Sequence, residues 1–236
     1  SLNLKVMKDK LLSAAILAVG IIIMGLCLKA GMDNFTEKDR KVTVKGLAEK
    51  EVKADKVTWP IVSKELGNDL PELYNRIAGK QLAIKRFLIA NGISDKEITV
   101  NAPQVVDLSA DQYSENRRKY RYNVTLVITV TSSHVDRVRG IIARQGELLK
   151  QGVAIVSGDY NNQVTYSLES FKAMKPKMMT EAIENAEQTA RQFAKNSKSK
   201  LNKIVSADQG QFSIDDRDAN TPWIKRVRVV TTVTYS

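Results

Sequence analysis

Cysteine and histidine each occur once in the 236 residues, as Cys27 and His134. Cys27 lies in an apolar run near the start, so the sequence beyond it has no thiol and no disulfide, which excludes thiol catalysis there. A domain of this length can stand on its apolar core alone. An oxidising compartment permits disulfides without demanding them. One histidine with no cysteine beside it cannot supply a common zinc ligand set. Next to the start of a helix, His134 reads as a solvated residue near the cap rather than a catalyst. Neither G-x-S-x-G nor G-x-x-x-x-G-K occurs, and no dinucleotide fingerprint is present. A serine hydrolase would have to use His134, for which the sequence offers no third partner. Repeats and low-complexity tracts are missing too.

Charge is missing from one long stretch. Leu11 to Leu28, LLSAAILAVGIIIMGLCL, has no ionisable side chain except the Cys27 thiol and is bracketed by Lys10 and Lys29. As a helix these residues span about 27 Å, close to the hydrocarbon thickness of a bilayer. Lys5, Lys8 and Lys10 against Asp9 hold the N-terminus in the cytoplasm and send the rest across. The expected organisation is a cytoplasmic N-terminus over 1–10, a transmembrane anchor over 11–28, a polar linker over 29–40 and one periplasmic domain over 41–236. That describes a single-pass inner-membrane protein. A cleaved signal peptide is the second choice, although its apolar core would be shorter, roughly 7–15 residues. Acylation of Cys27 is disfavoured by the bulky Leu26. A buried core helix fits poorly with flanking lysines and no polar face.

Basic residues number 37 against 26 acidic, a net charge of +11. Residues 1–40 hold six basic and four acidic groups, so +9 remains on the domain. Such a surface favours anionic lipid, polysaccharide or an acidic protein partner. Nucleic acid is excluded as a partner by the translocated topology.

Along the domain, Val42 and Val44, then Val57, Trp59 and Ile61, alternate with polar residues as half-buried strands do. Gly46 marks a bulge or a close backbone approach, Ala54-Asp55-Lys56 a turn, and Pro60 an edge or bulge. Asp69 caps a helix with Pro71 in its first turn and Glu72 at capping-box spacing. Leu70, Leu73, Ile77, Ile84 and Leu88 form its apolar face with Phe87 at the margin, and Asn91-Gly92 stops it. EITVNAPQVVDL predicts a third strand bent near Pro103, and YRYNVTLVITVT an antiparallel partner with Tyr120, Tyr122, Val124, Leu126, Ile128 and Val130 on one face. Ser132 or Ser133 would cap a second helix, HVDRVRGIIARQGELLKQG, with Val135, Val138, Ile141, Ile142 and Leu149 inward. AIVSGDYNNQVTYSL predicts a strand interrupted over 158–162. Pro176 would open the longest helix, which carries Met178, Met179, Ile183 and Phe193, and alanines at 182, 186, 190 and 194 in steps of four. KIVSADQGQFSI and WIKRVRVVTTVTY close the chain as two strands around DDRDANTP, with Val227, Val229, Thr231, Val233 and Tyr235 on one face. The fold class is α+β, mostly antiparallel strands with about three helices behind one transmembrane helix.

Two clusters imitate sites. Asp216, Asp218 and Asn220 match positions one, three and five of a calcium loop, but Thr221 stands where glycine belongs and Val227 where the bidentate glutamate belongs. A tight acidic turn explains them better. Arg117, Arg118, Lys119 and Arg121 interleave with Tyr120 and Tyr122, as on a nucleic-acid platform. Solvated basic groups around a half-buried strand are the simpler account, and contact with an anionic envelope partner is the functional one.

VTVKGLAEKEVKAD, then a helix, a strand pair, the alanine-stepped helix and QGQFSIDDRDANTPWIKRVRVVTTVTY resemble the SIMPL domain family. These bacterial envelope proteins include a periplasmic immunogenic protein and an oxidative-stress defence protein. The resemblance covers residues 41–236 and is closest to a membrane-anchored subgroup. Ala54 departs from the proline that many relatives carry before Asp55. The resemblance implies a periplasmic α+β domain, assembly into oligomers in some members, and no established catalytic residue or cofactor. The function expected is therefore non-enzymatic: a self-assembling, anchored protein that supports envelope integrity or stress tolerance. The alternative is a binding module for an anionic envelope polymer or protein.

Overall fold

The computed structural model describes residues 2–37, 41–110, 119–156 and 160–236. Helix α1 (Leu2–Glu37) is continuous, so the segment expected as a linker stays helical as far as Glu37. Within it Leu12–Met32 has a mean hydropathy of 2.3 and its residues are exposed rather than packed in the core. It is long and apolar enough to cross a membrane.

The described chain forms two compact units, one of residues 49–176 with 213–228 and one of residues 1–48, 177–212 and 229–236.

The first is built on a sheet in the order β3 (Ile98–Val100), β5 (Tyr122–Ser132), β2 (Lys56–Gly67) and β6 (Thr165–Ser167), with β4 (Gln104–Asp107) also on β5. Strands β2 (Lys56–Gly67) and β5 (Tyr122–Ser132) pair antiparallel from Val57↔Ser132 to Gly67↔Tyr122. Their two-residue period puts Val57, Trp59, Ile61, Val124, Leu126, Ile128 and Val130 on one buried face. Helix α2 (Leu70–Ala90) covers that face with Leu73, Ile77, Ile84, Phe87 and Leu88. Each fully buried aliphatic side chain contributes about 1.5–3 kcal/mol. The helix starts where Asp69 accepts the Glu72 N–H at 2.9 Å. It stops at Gly92 (φ +89°), beyond which the Ile93 N–H reaches the Leu88 carbonyl at 3.0 Å. Leu70, expected on the buried face, is the first helical residue and stays in solvent.

Pro60 stands just past the last β2–β6 pair, Thr58↔Thr165, so β2 has a strand on one side only there. A residue without an N–H fits that place. The bend at Pro103 separates β3 (Ile98–Val100) from β4 (Gln104–Asp107), and both pair with β5. The strand expected from residue 154 is reduced to β6 (Thr165–Ser167), because Tyr160–Asn162 turns as a 3-10 helix. Residues 157–159 of that stretch lie outside the described residues.

The second expected helix is two, α3 (Val135–Ala143) and α4 (Glu147–Lys150). Between them Arg144, Gln145 and Glu147 bond three residues back, to Ile141, Ile142 and Arg144. That tighter winding rotates the following residues. Leu148 is therefore buried, and Leu149, expected to face inward, is 64% exposed. Neither Ser132 nor Ser133 is the cap residue; His134 occupies that position without a side-chain cap bond. Helix α5 (Phe171–Asn196) begins five residues ahead of Pro176 rather than at it. The chain accepts proline there at the loss of the bond to the Lys172 carbonyl.

The second unit takes residues 42–48 of β1 (Val42–Lys53), residues 229–235 of β9 (Ile224–Tyr235) and β7 (Ile204–Asp208), strands of a sheet ordered β1-β9-β7. The first and last of the closing segments do not make a simple pair. KIVSADQGQFSI divides at Gly210 (φ +68°) into β7 and β8 (Phe212–Asp216), and both lie on β9. The alternation of Val227, Val229, Thr231, Val233 and Tyr235 is buried throughout, as its period predicts. Ala182, Ala186 and Ala190 of α5 are fully buried, and Val44, Ala186, Ala190, Val233 and Tyr235 form one cluster. Ile183 and Phe193, apolar residues of the same helix, face solvent instead. Gly46 is a close backbone approach: a Cβ there would lie 2.8 Å from that of Ala186.

Candidate functional site

In the unit of residues 49–176 and 213–228, a cleft of about 490 Å³ is lined by Lys53, Asp55, His134, Asp136, Arg137 and Trp223. The turn after β1 supplies its floor. Ala54 donates its N–H to the Trp223 carbonyl at 2.8 Å. The Asp55 carboxylate accepts the N–H groups of Glu169 (2.7 Å) and Ser170 (2.8 Å). Partial burial pushes the Asp55 carboxyl up, but the Ser170 hydroxyl and these N–H groups outweigh it and hold it below the ordinary value. The Arg139 guanidinium lies 3.4 Å from the centre of the Trp223 ring, and Tyr166 meets that ring edge-on. Asp136 joins Lys53 and Arg139, both at 3.3 Å. Of the charges lining the cleft, Lys53 and Asp136 pair with each other, and Asp55 is held by backbone N–H groups.

Beside it Glu97, Ser132 and His134 come together. Ser132 Oγ donates to Glu97 Oε1 at 2.5 Å and accepts the His134 backbone N–H at 3.0 Å. The Ser94 N–H donates to Glu97 Oε2 at 2.8 Å, and His134 Nδ1 stands 3.7 Å from Oε1. The Ser132 bond first, with Ser94 and His134 behind it, holds the Glu97 carboxyl at about 2. Serine, histidine and carboxylate are all present, yet the hydroxyl proton goes to the carboxylate and the histidine meets the serine through its backbone. Ser132 is also buried. A nucleophile needs its hydroxyl hydrogen-bonded to a base that can take the proton; here the acceptor is the Glu97 carboxylate, held at about 2 and so only weakly basic.

Of the basic cluster, Arg117 and Arg118 lie outside the described residues. Lys119 Nζ is 5.3 Å from the Tyr120 ring and the Arg121 guanidinium 5.0 Å from the Tyr122 ring. Arg121 also bonds Asp107 through Nε (3.2 Å) and Nη2 (3.1 Å). The Ser109 hydroxyl, then Arg121, holds the Asp107 carboxyl at about 2. Asn68 brackets this corner, accepting the Arg121 N–H at 2.8 Å.

The acidic turn is engaged by its own neighbours. Asp216 pairs with Lys225, and Asp218 accepts from the Thr221 hydroxyl, Arg217 Nε and the Asn220 N–H. The Thr221 bond first, then Arg217, holds the Asp218 carboxyl at about 2. Among the described residues no three His, Cys, Asp or Glu side chains converge as a metal set.

Sequence reasoning singled out His134 but missed Asp55, Glu97, Arg139 and Trp223. Only Ser94-x-x-Glu97 carried a local signal, the spacing of a capping box. The rest meet across 35 to 115 residues of sequence.

The profile of the SIMPL family, described as a protein of unknown function (DUF541), matches residues 42–235. No curated protein matches the chain. The match runs from the first residue of β1 to the last of β9 and extends over parts of both compact units; the chain belongs to the SIMPL family.

Proposed function

We propose that this chain is a non-catalytic, membrane-anchored periplasmic protein that assembles with copies of itself and supports cell-envelope integrity or stress tolerance. The observation that carries the anchor is Leu12–Met32, apolar except near its end at Lys29 and uncovered by the chain. Assembly draws support from apolar side chains left on short strands: Val105 and Val106 on β4, Ile204 and Val205 on β7, each at least half exposed. Isolated exposed apolar residues are ordinary, whereas pairs on exposed strands are places where chains associate. A non-catalytic role is supported by the direction of the Ser132 proton and by the pairing of Lys53 with Asp136 in the cleft.

Light scattering on the full chain in detergent tests assembly, with a defined oligomer as the expected result and a strict monomer at high concentration as the refutation. A reporter active only in the cytosol, fused after Ser236, tests the compartment. It should be silent.

The second reading is a binding module for an anionic polymer or acidic protein through Arg117, Arg118, Lys119 and Arg121. The +9 excess and the tyrosine-backed cations Lys119 and Arg121 favour it.

A further inference from the structure

The clearest run of one charge sign in the chain lies where α5 ends. From Gln188 to Ala207 the sequence holds Arg191, Lys195, Lys198, Lys200 and Lys203 and not one Asp or Glu. The chain turns at Lys198 (φ +54°), a left-handed place that glycine usually fills. The turn is closed by the Ser199 N–H on the Ala194 carbonyl at 3.0 Å. Lys198 and Lys200 then line a polar cleft of about 720 Å³ with Lys41, Ser197, Ser199 and Asn202. No Asp or Glu side chain lines it. The Ser236 carbonyl oxygen at its edge accepts the Asn202 N–H at 2.8 Å.

The cations of this cleft hold no carboxylate. Among the described residues Lys41, Lys195, Lys198, Lys200 and Lys203 make no ion pair, whereas Arg191 holds Glu187, Lys85 holds Asp95 and Lys225 holds Asp216. Cations near a helix C-terminus offset the helix dipole, which accounts for Lys195 and Lys198. It leaves Lys41, Lys200 and Lys203 unexplained.

Lys41 ties the cleft to the membrane segment. The apolar helix ends at Met32 and α1 continues to Glu37. Five helical and four further residues reach no more than roughly 20 Å from its end to Lys41. An anchored chain therefore carries this cleft at the bilayer surface, where phospholipid headgroups are at high effective concentration. Any other polyanion would have to arrive by diffusion.

We propose that the lysine cleft at the end of α5 binds anionic phospholipid headgroups of the same membrane that holds α1. The inference rests on the anchor reading above. Ammonium groups on lysine attract such headgroups as point charges.

The test uses the full chain in nanodiscs, of phosphatidylcholine alone or with phosphatidylglycerol. Hydrogen exchange at the amides of 195–203 should slow in the anionic discs, by roughly fivefold for each lysine engaged. High salt should reverse the slowing, and a K198Q/K200Q/K203Q variant should lose it while K198R/K200R/K203R keeps it. An unchanged melting point in the glutamine variant shows that folding is intact. Equal exchange in the two discs overturns the proposal. So does equal slowing by heparin added to phosphatidylcholine discs, which would mark a site for any polyanion. A chain that fails to co-elute with either disc removes the anchor, a distinct and separately visible failure.

Discussion

Gly46 and Ala182 meet backbone to backbone: a methyl group on Gly46 would overlap the Ala182 carbonyl oxygen and stand 2.7 Å from the Ala186 amide nitrogen. Neither obstacle is a side chain that can swing away. Gly46→Ala must therefore push β1 and α5 apart, at a cost of about 2–3 kcal/mol. A melting point lower by roughly 5–10 °C is expected by calorimetry. A shift within error would mean that the two elements do not pack this closely.

Gly210 and Gly152 separate steric from conformational cost. Both have positive φ, +68° and +78°. A Cβ on Gly210 would overlap the Val230 carbonyl oxygen, whereas one on Gly152 meets nothing within 4 Å. Gly152→Ala should lose only about 1 kcal/mol, the strain of a left-handed alanine. Gly210→Ala should lose clearly more, by urea unfolding of the two variants. Equal losses would count against the contact with Val230.

Glu97 gives stability a defined dependence on acid. Its folded carboxyl sits at about 2, below the ordinary glutamate value of 4.5. Between those values the unfolded chain binds more protons, so stability rises with pH. The contribution is complete above about 4.5 and is lost as pH falls towards 2. Glu97→Gln should cost about 1–2 kcal/mol at neutral pH, from the charged hydrogen bonds it removes. Its unfolding curve should also be flatter than the parent's between those limits. A variant with the parent's slope would assign the acid sensitivity elsewhere.

Lys119 and Arg121 should contribute unequally to anion binding. Arg121 is already held by Asp107 through two nitrogens, whereas Lys119 makes no ion pair among the described residues. On a heparin column, Lys119→Gln is expected to lower the eluting salt concentration more than Arg121→Gln. Exposed charges report strongly on such salt-sensitive retention. The opposite order would show that Asp107 releases Arg121 to the ligand.

Where the signal was local, the sequence was a good guide to the fold. Asp69, Asn91 and Gly92 bounded α2, and the alternation from Tyr122 to Val130 announced β5. Errors arose where the cause is not written in periodicity. Leu148 is buried in place of the expected Leu149 because three bonds of the tighter type intervene, and a run such as RQGELL looks the same in either winding. Pro176 suggested a start because proline favours first turns, yet α5 had already formed from Phe171. The cleft was the least legible part. Asp55, Ser170 and Trp223 are unremarkable in their own neighbourhoods and acquire meaning only through contacts made after folding.

The alanine row of α5 and the bare backbone of Gly46 also constrain how this protein can change. Methyl groups have no rotamers to reshuffle, so the seam cannot absorb a bulkier residue by local adjustment. An enlargement on the helix would need a matching reduction on the strand, and glycine has nothing left to give up. Drift along this line is closed to single steps, and any alternative architecture here would have to replace both surfaces at once.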